Sequence, residues 1–343
     1  MKVFSVVNQK GGCGKTITSV NLSYALSMLG KKVLLIDLDP QAHATFSVGI
    51  TPQHTIADLM EAYTQKGELD NSLIEKVLIE KTNRFYIIPA SIGLASLEQS
   101  LSLREDKLDI LHHILLMMDL NFDYCIIDCP PNLGVLTLNA LVASGYSLVP
   151  LGISEFSLKG VENLKNILEF IQNFKKKSPS FYYLLTQYDQ RAKFSQKFLH
   201  RVRDQLKDNL LTTIIRINIH LREASSLGKT IFEYKPTSRG AQDYKKLAKE
   251  IEKVSGEVLW VKFIIKGKNF NGIYVVGDFN NWERLEEYRL KRIAPDSWGI
   301  NIPLRKGIYR YKFYTQGRWF PDPFNNQQEP DAFGGKNSLL VVK

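Results

Sequence analysis

The stretch Lys10-Gly-Gly-Cys-Gly-Lys-Thr16 decides the fold of the first part of the chain. It follows the apolar run Val3–Val7 and precedes a helical pattern in which Leu22, Ala25, Leu26 and Leu29 lie on one face. A Gly-rich turn between a strand and a helix presents backbone N–H groups, which form an anion site together with the helix N-terminus. The sequence therefore predicts a strand–loop–helix unit that binds phosphate groups.

The residues of this loop suit the phosphate chain of a nucleotide. Lys15 is placed to reach the β- and γ-phosphates, and the Thr16 hydroxyl can ligate Mg²⁺. The expected nucleotide-binding residues are Gly11, Gly12, Gly14, Lys15 and Thr16. The usual pattern has a glycine at position 9, whereas this chain has Gln9 there and a second lysine, Lys10, at the loop entrance.

Apolar runs of strand length alternate with helical patterns through the first 254 residues. The predicted strands are Val3–Val7, Val33–Ile36, Phe85–Ile88, Tyr124–Ile127, Ser147–Leu151 and Phe181–Thr186, and the predicted helices lie near 104–118, 134–144, 157–174, 192–207 and 240–254. This alternation predicts a doubly wound, mostly parallel α/β sheet. Ligands of such sheets bind beyond the carboxyl ends of the strands, where the Gly-rich loop, Asp37, Asp39 and Asp128 are expected.

The C-terminal part of the chain has a different composition. Sixteen of the 37 aromatic residues, including all four tryptophans, lie between Gly256 and Lys343. Short apolar runs separated by Gly, Asn and Pro turns are found at Val258–Ile265, Ile273–Val276, Tyr288–Ile293, Trp298–Pro303, Ile308–Tyr314 and Ser338–Val342. The pattern predicts a small all-β, immunoglobulin-like sandwich. We therefore expect two domains, residues 1–254 and 256–343, with a short connection between them.

Composition excludes several classes of protein. With 44% hydrophobic and 23% charged residues, the chain has the composition of a folded globular protein. No apolar run approaches the ~20 residues that span a bilayer, and the N-terminus lacks the features of a signal peptide. Three cysteines fit a reducing compartment, so a cytoplasmic location without membrane attachment is expected. The net charge of +10 permits a polyanionic partner.

The first 254 residues resemble the ParA/Soj/MinD family of ATPases, which carry a deviant Walker A loop. The resemblance rests on Lys10–Thr16, Leu35-Ile-Asp-Leu-Asp-Pro-Gln41, Ile126-Ile-Asp-Cys-Pro-Pro131 and the segment from Ala224 to Gly240. It implies ATP and Mg²⁺ as cofactors, an ATP-dependent homodimer, slow hydrolysis and an activating partner protein. It also implies catalytic roles for Lys10, which would reach the partner's phosphates, for Lys15, and for Asp39, which would orient water. Thr16, Asp37 and Asp128 would form the metal site.

A basic helix face is the candidate contact with nucleic acid. Lys193, Lys197 and Arg201 recur every four residues, opposite a stripe formed by Phe194, Phe198, Val202 and Leu206. With Arg191 and Arg222, which the family layout places nearby, they could follow a phosphate backbone and bind DNA without sequence preference, over the nucleoid. A solvated helix face is the alternative. Arg216 stands where the family has a proline near the adenine, and His220 where DNA-binding members have arginine.

The C-terminal segment resembles the glycogen-binding modules of carbohydrate-binding family 48, as in the β-subunits of AMP-activated kinase. The matching motifs are Val276-Gly-Asp-Phe-Asn-Asn-Trp282, Tyr311–Trp319, Asp322-Pro323 and Gly335-Lys-Asn337. The resemblance implies that Trp282 and Trp319 are sugar platforms, that Lys312 and Asn337 bind hydroxyls, and that Phe333 presses into the glucan coil. Stacking on the apolar face of a pyranose and hydrogen bonding to its rim explain these residue types. A structural spacer is the alternative.

Two functions remain open from the sequence. The first is a positioning ATPase that carries a cargo, either DNA or a body associated with α-glucan, over the nucleoid. The second is an ATP-dependent switch or scaffold of α-glucan metabolism without a role for DNA. A membrane shuttle is disfavoured because the chain ends in the strand pattern Ser338–Val342 rather than in an amphipathic helix.

Overall fold

The computed structural model describes residues 1–118, 121–154, 161, 171, 179–256, 258–267, 270, 272–280, 282–305, 307–331 and 334–342. Over these residues the first part of the chain forms one sheet, sheet A. Its strands are β1 (Lys2–Val6), β2 (Val33–Asp37), β3 (Ile79–Thr82), β4 (Phe85–Ile88), β5 (Tyr124–Asp128), β6 (Tyr146–Gly152), β7 (Ser180–Tyr188) and β8 (Leu210–Arg216). Their order is β3-β4-β2-β5-β1-β6-β7-β8, and only the β3–β4 pairing is antiparallel.

Helices pack on both faces of sheet A. They are α1 (Lys15–Met28), α2 (His43–Ser47), α3 (Ile56–Lys66), α4 (Asn71–Val77), α5 (Gly93–Ser102), α6 (Ile110–Met117), α7 (Val135–Ala143), α8 (Lys193–Leu206), α9 (Ile219–Ser226), α10 (Ile231–Tyr234) and α11 (Arg239–Ser255). Along β2, Leu34 and Ile36 belong to one buried cluster, and Val33 and Leu35 to another. Because successive side chains of a strand alternate between faces, the sheet is buried on both sides, as the doubly wound prediction requires.

The second part of the chain is all β-structure and contains two sheets. Sheet B has the order β11-β12-β9, with β9 (Val258–Lys266), β11 (Lys291–Ala294) and β12 (Ser297–Arg305). Sheet C has the order β10-β13-β16-β15, with β14 paired to β13, and comprises β10 (Ile273–Gly277), β13 (Gly307–Thr315), β14 (Arg318–Phe320), β15 (Gln328–Pro330) and β16 (Lys336–Val342). A core that includes Phe263, Ile300, Val275 and Phe313 lies between the two antiparallel sheets, which confirms the all-β prediction.

Several predicted elements differ from the observed ones. The helix expected near 104–118 begins at Ile110 instead, after a turn. The strand expected at Tyr288–Ile293 begins at Lys291, because Glu286–Tyr288 is a 3₁₀ turn. The helix expected near 157–174 lies outside the described residues except for positions 161 and 171. Of the helices among the described residues, none is both long and apolar enough to cross a membrane.

Candidate functional site

The Gly-rich loop joins β1 to α1 at the carboxyl edge of sheet A. Gly12 and Gly14 have φ angles of 71° and 90°, in the left-handed region that favours glycine. A Cβ atom at Gly11 or Gly12 would meet no other atom within 4 Å, so space beside this backbone is open. Lys15 is buried, and its Nζ donates to the Lys10 carbonyl oxygen at 3.3 Å. The loop therefore leaves open space beside Gly11 and Gly12.

Neighbouring strands fix the loop through residues that the sequence analysis did not single out. The side chain of Asn8 donates to the Pro150 carbonyl at 2.7 Å and accepts from the Lys10 N–H at 2.9 Å. At the end of β7, the Thr186 hydroxyl donates to the Cys13 carbonyl at 2.8 Å, and Gln187 Nε2 donates to the Gly12 carbonyl at 2.6 Å. These contacts fix the Gly12 and Cys13 carbonyls and the entrance of the loop at Lys10.

Two buried carboxyl groups lie beside the loop. Thr16 Oγ1 and Ser19 Oγ donate to the two oxygens of Asp128 at 2.9 and 2.7 Å. Thr45 donates to Asp37 Oδ2 through both its N–H and its hydroxyl at 2.8 Å. Burial and, for Asp128, the nearby charge of Asp37 raise the pKa of both carboxyl groups. The site therefore concentrates negative charge that a cation would stabilise, and oxygen ligands of this kind suit Mg²⁺.

Asp39 lies in the loop after β2. It is buried, its Oδ1 accepts from the Gln41 N–H at 2.9 Å, and its own N–H donates to Asp37 Oδ1 at 3.1 Å. Ala42, which follows, has a φ angle of 53°. This left-handed conformation favours glycine and is uncommon for a residue that carries a Cβ atom.

A cleft of about 210 Å³ opens next to the loop. Its lining includes Gly14, Ile17, Ile217, Ile219 and Tyr244. Arg216 also lines it, but its guanidinium is bound by the buried Asp243, through Nη2 at 2.6 Å and Nε at 3.0 Å. The arginine at the position of the family's proline is therefore neutralised within the protein, and the wall of the cleft keeps an apolar character that suits a planar base.

The basic residues of the candidate nucleic-acid face are exposed. Lys193, Lys197 and Arg201 lie on the outer side of α8, whereas Phe198, Val202 and Leu206 are buried. Phe194, expected in the buried stripe, is 49% exposed because it lies in the first turn of the helix. Arg222 is exposed on α9 and lines the cleft. Arg191 is exposed but bonds Asp189, and His220 Nδ1 lies 2.7 Å from Glu223.

Four of the five predicted sugar-binding residues belong to the described residues and lie on or beside sheet C. On β13, Tyr311 and Phe313 point into the core, while Lys312 and Tyr314 point outward. Trp319 pairs with Tyr314 across the strands, and their rings meet at an angle of 64° with centroids 5.1 Å apart. Asn337 follows in register beside Lys312, because Tyr311 lies opposite Ser338. Phe333 lies outside the described residues.

Trp282 is held in the turn after β10. Its φ angle is 61°, and its indole Nε1 donates to Asp278 Oδ1 at 3.1 Å. The other oxygen of Asp278 accepts from the Arg310 N–H at 2.8 Å, which ties this turn to β13. Lys312 forms an ion pair with Asp331. Of the predicted sugar-binding residues that the structure describes, Trp319 is exposed, Trp282 and Lys312 are half-buried, and Asn337 is buried.

Comparison with known proteins identifies the first part of the chain. A family model described as an AAA domain matches residues 1–180. The sporulation initiation inhibitor protein Soj of Bacillus subtilis is 38% identical over 251 residues, which are 73% of this chain and 98% of that protein. The chain belongs to the ParA/Soj family of P-loop ATPases.

Other relatives of this ParA/Soj family member match the same part of the chain. The chromosome-partitioning ATPase Soj of Treponema pallidum is 35% identical over 257 residues, which are 75% of this chain and 99% of that protein. A solved structure of cobyrinic acid a,c-diamide synthase from Mycobacterium smegmatis is 30% identical with a TM-score of 0.61, and the match covers 75% of this chain and 96% of that one. That structure contains ADP and magnesium.

The ParA/Soj relatives cover about three quarters of the chain, and a second family accounts for the rest. The family model for the glycogen recognition site of AMP-activated protein kinase matches residues 261–343. This ParA/Soj protein therefore carries a glycogen-binding type of module after its ATPase part, as the motifs from Trp282 to Asn337 predict.

Proposed function

We propose that the protein is an ATPase that dimerises on ATP and positions an α-glucan-associated cargo over nucleoid DNA, with an activating partner protein. The observation that carries the proposal is the presence, in one chain, of a phosphate-binding loop beside two buried carboxyl groups and of the exposed Trp319 ring packed against Tyr314 on sheet C. The domains are residues 1–254 for the ATPase and 256–343 for the glucan module.

The loop residues would hold ATP and Mg²⁺. Gly11, Gly12 and Gly14 expose their N–H groups to the phosphates, and Lys15 would exchange the Lys10 carbonyl for the β- and γ-phosphates. The Thr16 hydroxyl donates to Asp128 and keeps a lone pair for the metal, while Asp37 and Asp128 would hold its hydration shell. When bound, Mg²⁺ neutralises phosphate charge and so favours attack on the γ-phosphate.

Hydrolysis needs two further groups. Asp39, fixed by the Gln41 N–H, would accept a hydrogen bond from the attacking water and orient it toward the γ-phosphate. Lys10 lies at the loop entrance next to the open space beside Gly11 and Gly12, where a second subunit can approach. In the dimer, Lys10 would bring its charge to the partner's phosphates, so that ATP stabilises the assembled state.

The outer face of sheet C would bind an α-glucan such as glycogen. Trp282 and Trp319 offer rings on which the C–H face of glucose can stack, and Lys312 and Asn337 offer donors and acceptors for its hydroxyls. Trp319 is 45% exposed to solvent. A sugar stacked on its ring would remove part of this apolar surface from water, which is favourable. Phe333 would contribute an apolar contact in the same site.

The basic face of α8, with Arg191 and Arg222, would bind DNA phosphates without sequence preference. Because each phosphate contact releases a counterion, retention on random duplex DNA should fall steeply with salt. A plot of the logarithm of the binding constant against the logarithm of the salt concentration has a slope of about −0.9 for each phosphate contact. Lys193→Glu/Lys197→Glu should therefore make this slope less steep by about two. Lys245→Glu/Lys249→Glu on α11, which are also exposed, form the matched control.

A specific observation favours a second candidate, an ATP-dependent scaffold of α-glucan metabolism without DNA binding. Arg191 is bonded to Asp189 and His220 to Glu223, which reduces the positive charge on this surface. The two candidates are separated by retention on random duplex DNA. Binding with ATP but not with ADP supports the positioning ATPase, and no binding in either state contradicts it and leaves the scaffold.

A further inference from the structure

Helix α6 has buried side chains on all of its faces. Ile110, Leu111, His113, Ile114, Leu115 and Leu116 are all buried. A helix that is apolar all round must be covered all round. The core of sheet A includes Ile110, Leu111, Ile114 and Leu115 but not Leu116. Strands β11 and β12 of sheet B lie against the same helix, so the second part of the chain contributes to its cover.

A tryptophan of the second part of the chain packs against a glycine of the first part. On β9, Phe263 and Ile265 point into the sandwich core, so Trp260 and Lys262 point to the outer face of sheet B. A Cβ atom at Gly145, in the turn before β6, would lie 2.4 Å from Cζ2 of Trp260. The indole therefore lies directly on the Gly145 backbone, and only glycine leaves room for it.

The connection between the two parts is fixed by three tyrosines of sheet A. Tyr146 and Tyr182 donate through their hydroxyls to the carbonyl oxygens of Ser255 and Val254 at 3.3 and 3.5 Å. The Tyr124 hydroxyl lies 3.2 Å from Ser255 Oγ. These tyrosines lie at or near the starts of β5, β6 and β7, so the last turn of α11 is held at that edge of sheet A, directly before β9 begins.

We propose that the outer face of sheet B is a permanent docking surface for the ATPase, occupied by α6 and Gly145 of the same chain. Domains joined by small polar interfaces move independently. Here the apolar helix α6, the Trp260 indole on Gly145 and a connection bonded by three tyrosine hydroxyls join the two parts. This contact between sheet B and the ATPase, here called the dock, lies at the edge of sheet A where its parallel strands begin. The phosphate-binding loop follows the carboxyl end of β1 and therefore lies at the opposite edge. The dock and the outer face of sheet C are on opposite sides of the sandwich.

This placement has a consequence that rests on the proposed function. The glucan face is directed away from the ATPase, and the dock lies at the edge of sheet A opposite the nucleotide. The dimer and a bound glucan would therefore not compete for the same surface. A rigid dock also fixes the distance between the two glucan faces of a dimer, which a flexible tether would not do.

The test is calorimetric unfolding of the full chain with and without ATP and Mg²⁺. We expect one transition for the wild type, which ATP and Mg²⁺ raise as a whole. In Trp260→Ala the sandwich should unfold in a transition of its own, separate from that of the ATPase. The midpoint temperature of this transition should lie at least about 5 °C below the wild-type value and should not change with nucleotide. Gly145→Asp should do the same from the other side of the contact, and Trp282→Ala, a tryptophan outside the dock, should keep a single transition.

The outcomes separate the dock from the proposed function. Two transitions in the wild type, with only one responding to nucleotide, would overturn the dock, as would a Trp260→Ala profile equal to that of Trp282→Ala. If the wild type unfolds in one transition but does not bind glycogen, the dock stands and the glucan part of the proposed function fails. Retained ATP binding by both dock variants would show that the ATPase still folds.

Discussion

Asp37 and Asp128 lie opposite each other in register at the carboxyl ends of β2 and β5, and both are fully buried. Both carboxyl groups are therefore shielded from water, and each accepts hydrogen bonds from protein donors, Asp37 from Thr45 and Asp128 from Thr16 and Ser19. Burial raises the pKa of Asp37 to about 6, and burial together with the charge of Asp37 raises the pKa of Asp128 to about 7. A site arranged in this way is stabilised by a divalent cation or by protons.

The carboxyl pair predicts how stability depends on pH in metal-free protein. Because both pKa values exceed that of an unfolded aspartate, the native state holds protons that the unfolded state has released between about pH 4 and 7. The free energy of unfolding should fall as pH rises through that range. Asp128→Asn removes the ionisable group and keeps one oxygen that can accept from Thr16 or Ser19, so it should flatten the profile. Thermal melts in chelator from pH 5 to 8 measure this, and an unchanged slope would contradict it.

Lys15→Ala should strongly weaken the binding of ATP. The side chain is buried with its ammonium at the loop, and loss of a charged hydrogen bond costs about 3 kcal/mol, which corresponds to about 100-fold in affinity. Titration calorimetry with ATP and Mg²⁺ measures the loss. Lys31→Ala, which removes a surface lysine paired with Glu252 at 3.0 Å, is the matched control and should bind normally. Equal affinities of the two variants would be inconsistent with the assigned role.

Asp39→Ala should keep ATP binding and lose hydrolysis. Positioned proton acceptors contribute about 10²–10⁴-fold to such steps, so we expect a loss of at least about 100-fold and a dimer that persists with ATP. Phosphate release and light scattering after size exclusion measure the two effects. Asp204→Ala, an exposed carboxylate on α8, serves as control. Hydrolysis at the wild-type rate by Asp39→Ala would show that this residue does not orient the water.

Trp282→Ala and Trp319→Ala should each weaken glycogen binding by at least about 5-fold, because a lost aromatic contact costs about 1 kcal/mol or more. Affinity electrophoresis in glycogen gels measures the change. Trp260→Ala, which removes a tryptophan from the opposite side of the sandwich, should bind glycogen normally without nucleotide. If Trp260→Ala weakens binding as much as the other two, the sugar face is wrongly assigned.

Sequence predicted the parts of the fold that local pattern determines. Val33–Ile36 and Tyr124–Ile127 are apolar runs bounded by acidic loops, and both became central strands of sheet A. β8 was missed because Thr212 and Thr213 interrupt its apolar residues, so it lacks a continuous apolar run. β14 and β15 have only three residues each, which is too short for a periodic signal.

The site could be predicted only where one motif contains its residues. The loop from Lys10 to Thr16 is recognisable from its own sequence. Thr186 and Gln187, which bond to it, belong to a strand more than 170 residues away in the chain and could not be assigned to the site. Arg216 looked like a departure near the base, and only the fold shows its pairing with Asp243. Trp260 looked like one more aromatic residue of the sandwich until Gly145 was placed beneath it.

Because the proposed dimer forms on ATP, the nucleotide state of the ATPase should control attachment to the glucan. A dimer that carries two glucan faces gains avidity for a repeating polymer, by about 10²–10⁴-fold where the geometry permits, without any new contact.

The most direct measurement is co-sedimentation of the wild type with glycogen in ATP, in ADP and without nucleotide, with Trp282→Ala/Trp319→Ala as control. We predict strong binding in ATP, weak binding in the other two states and none for the double variant. Equal wild-type binding in all three states would contradict the claim.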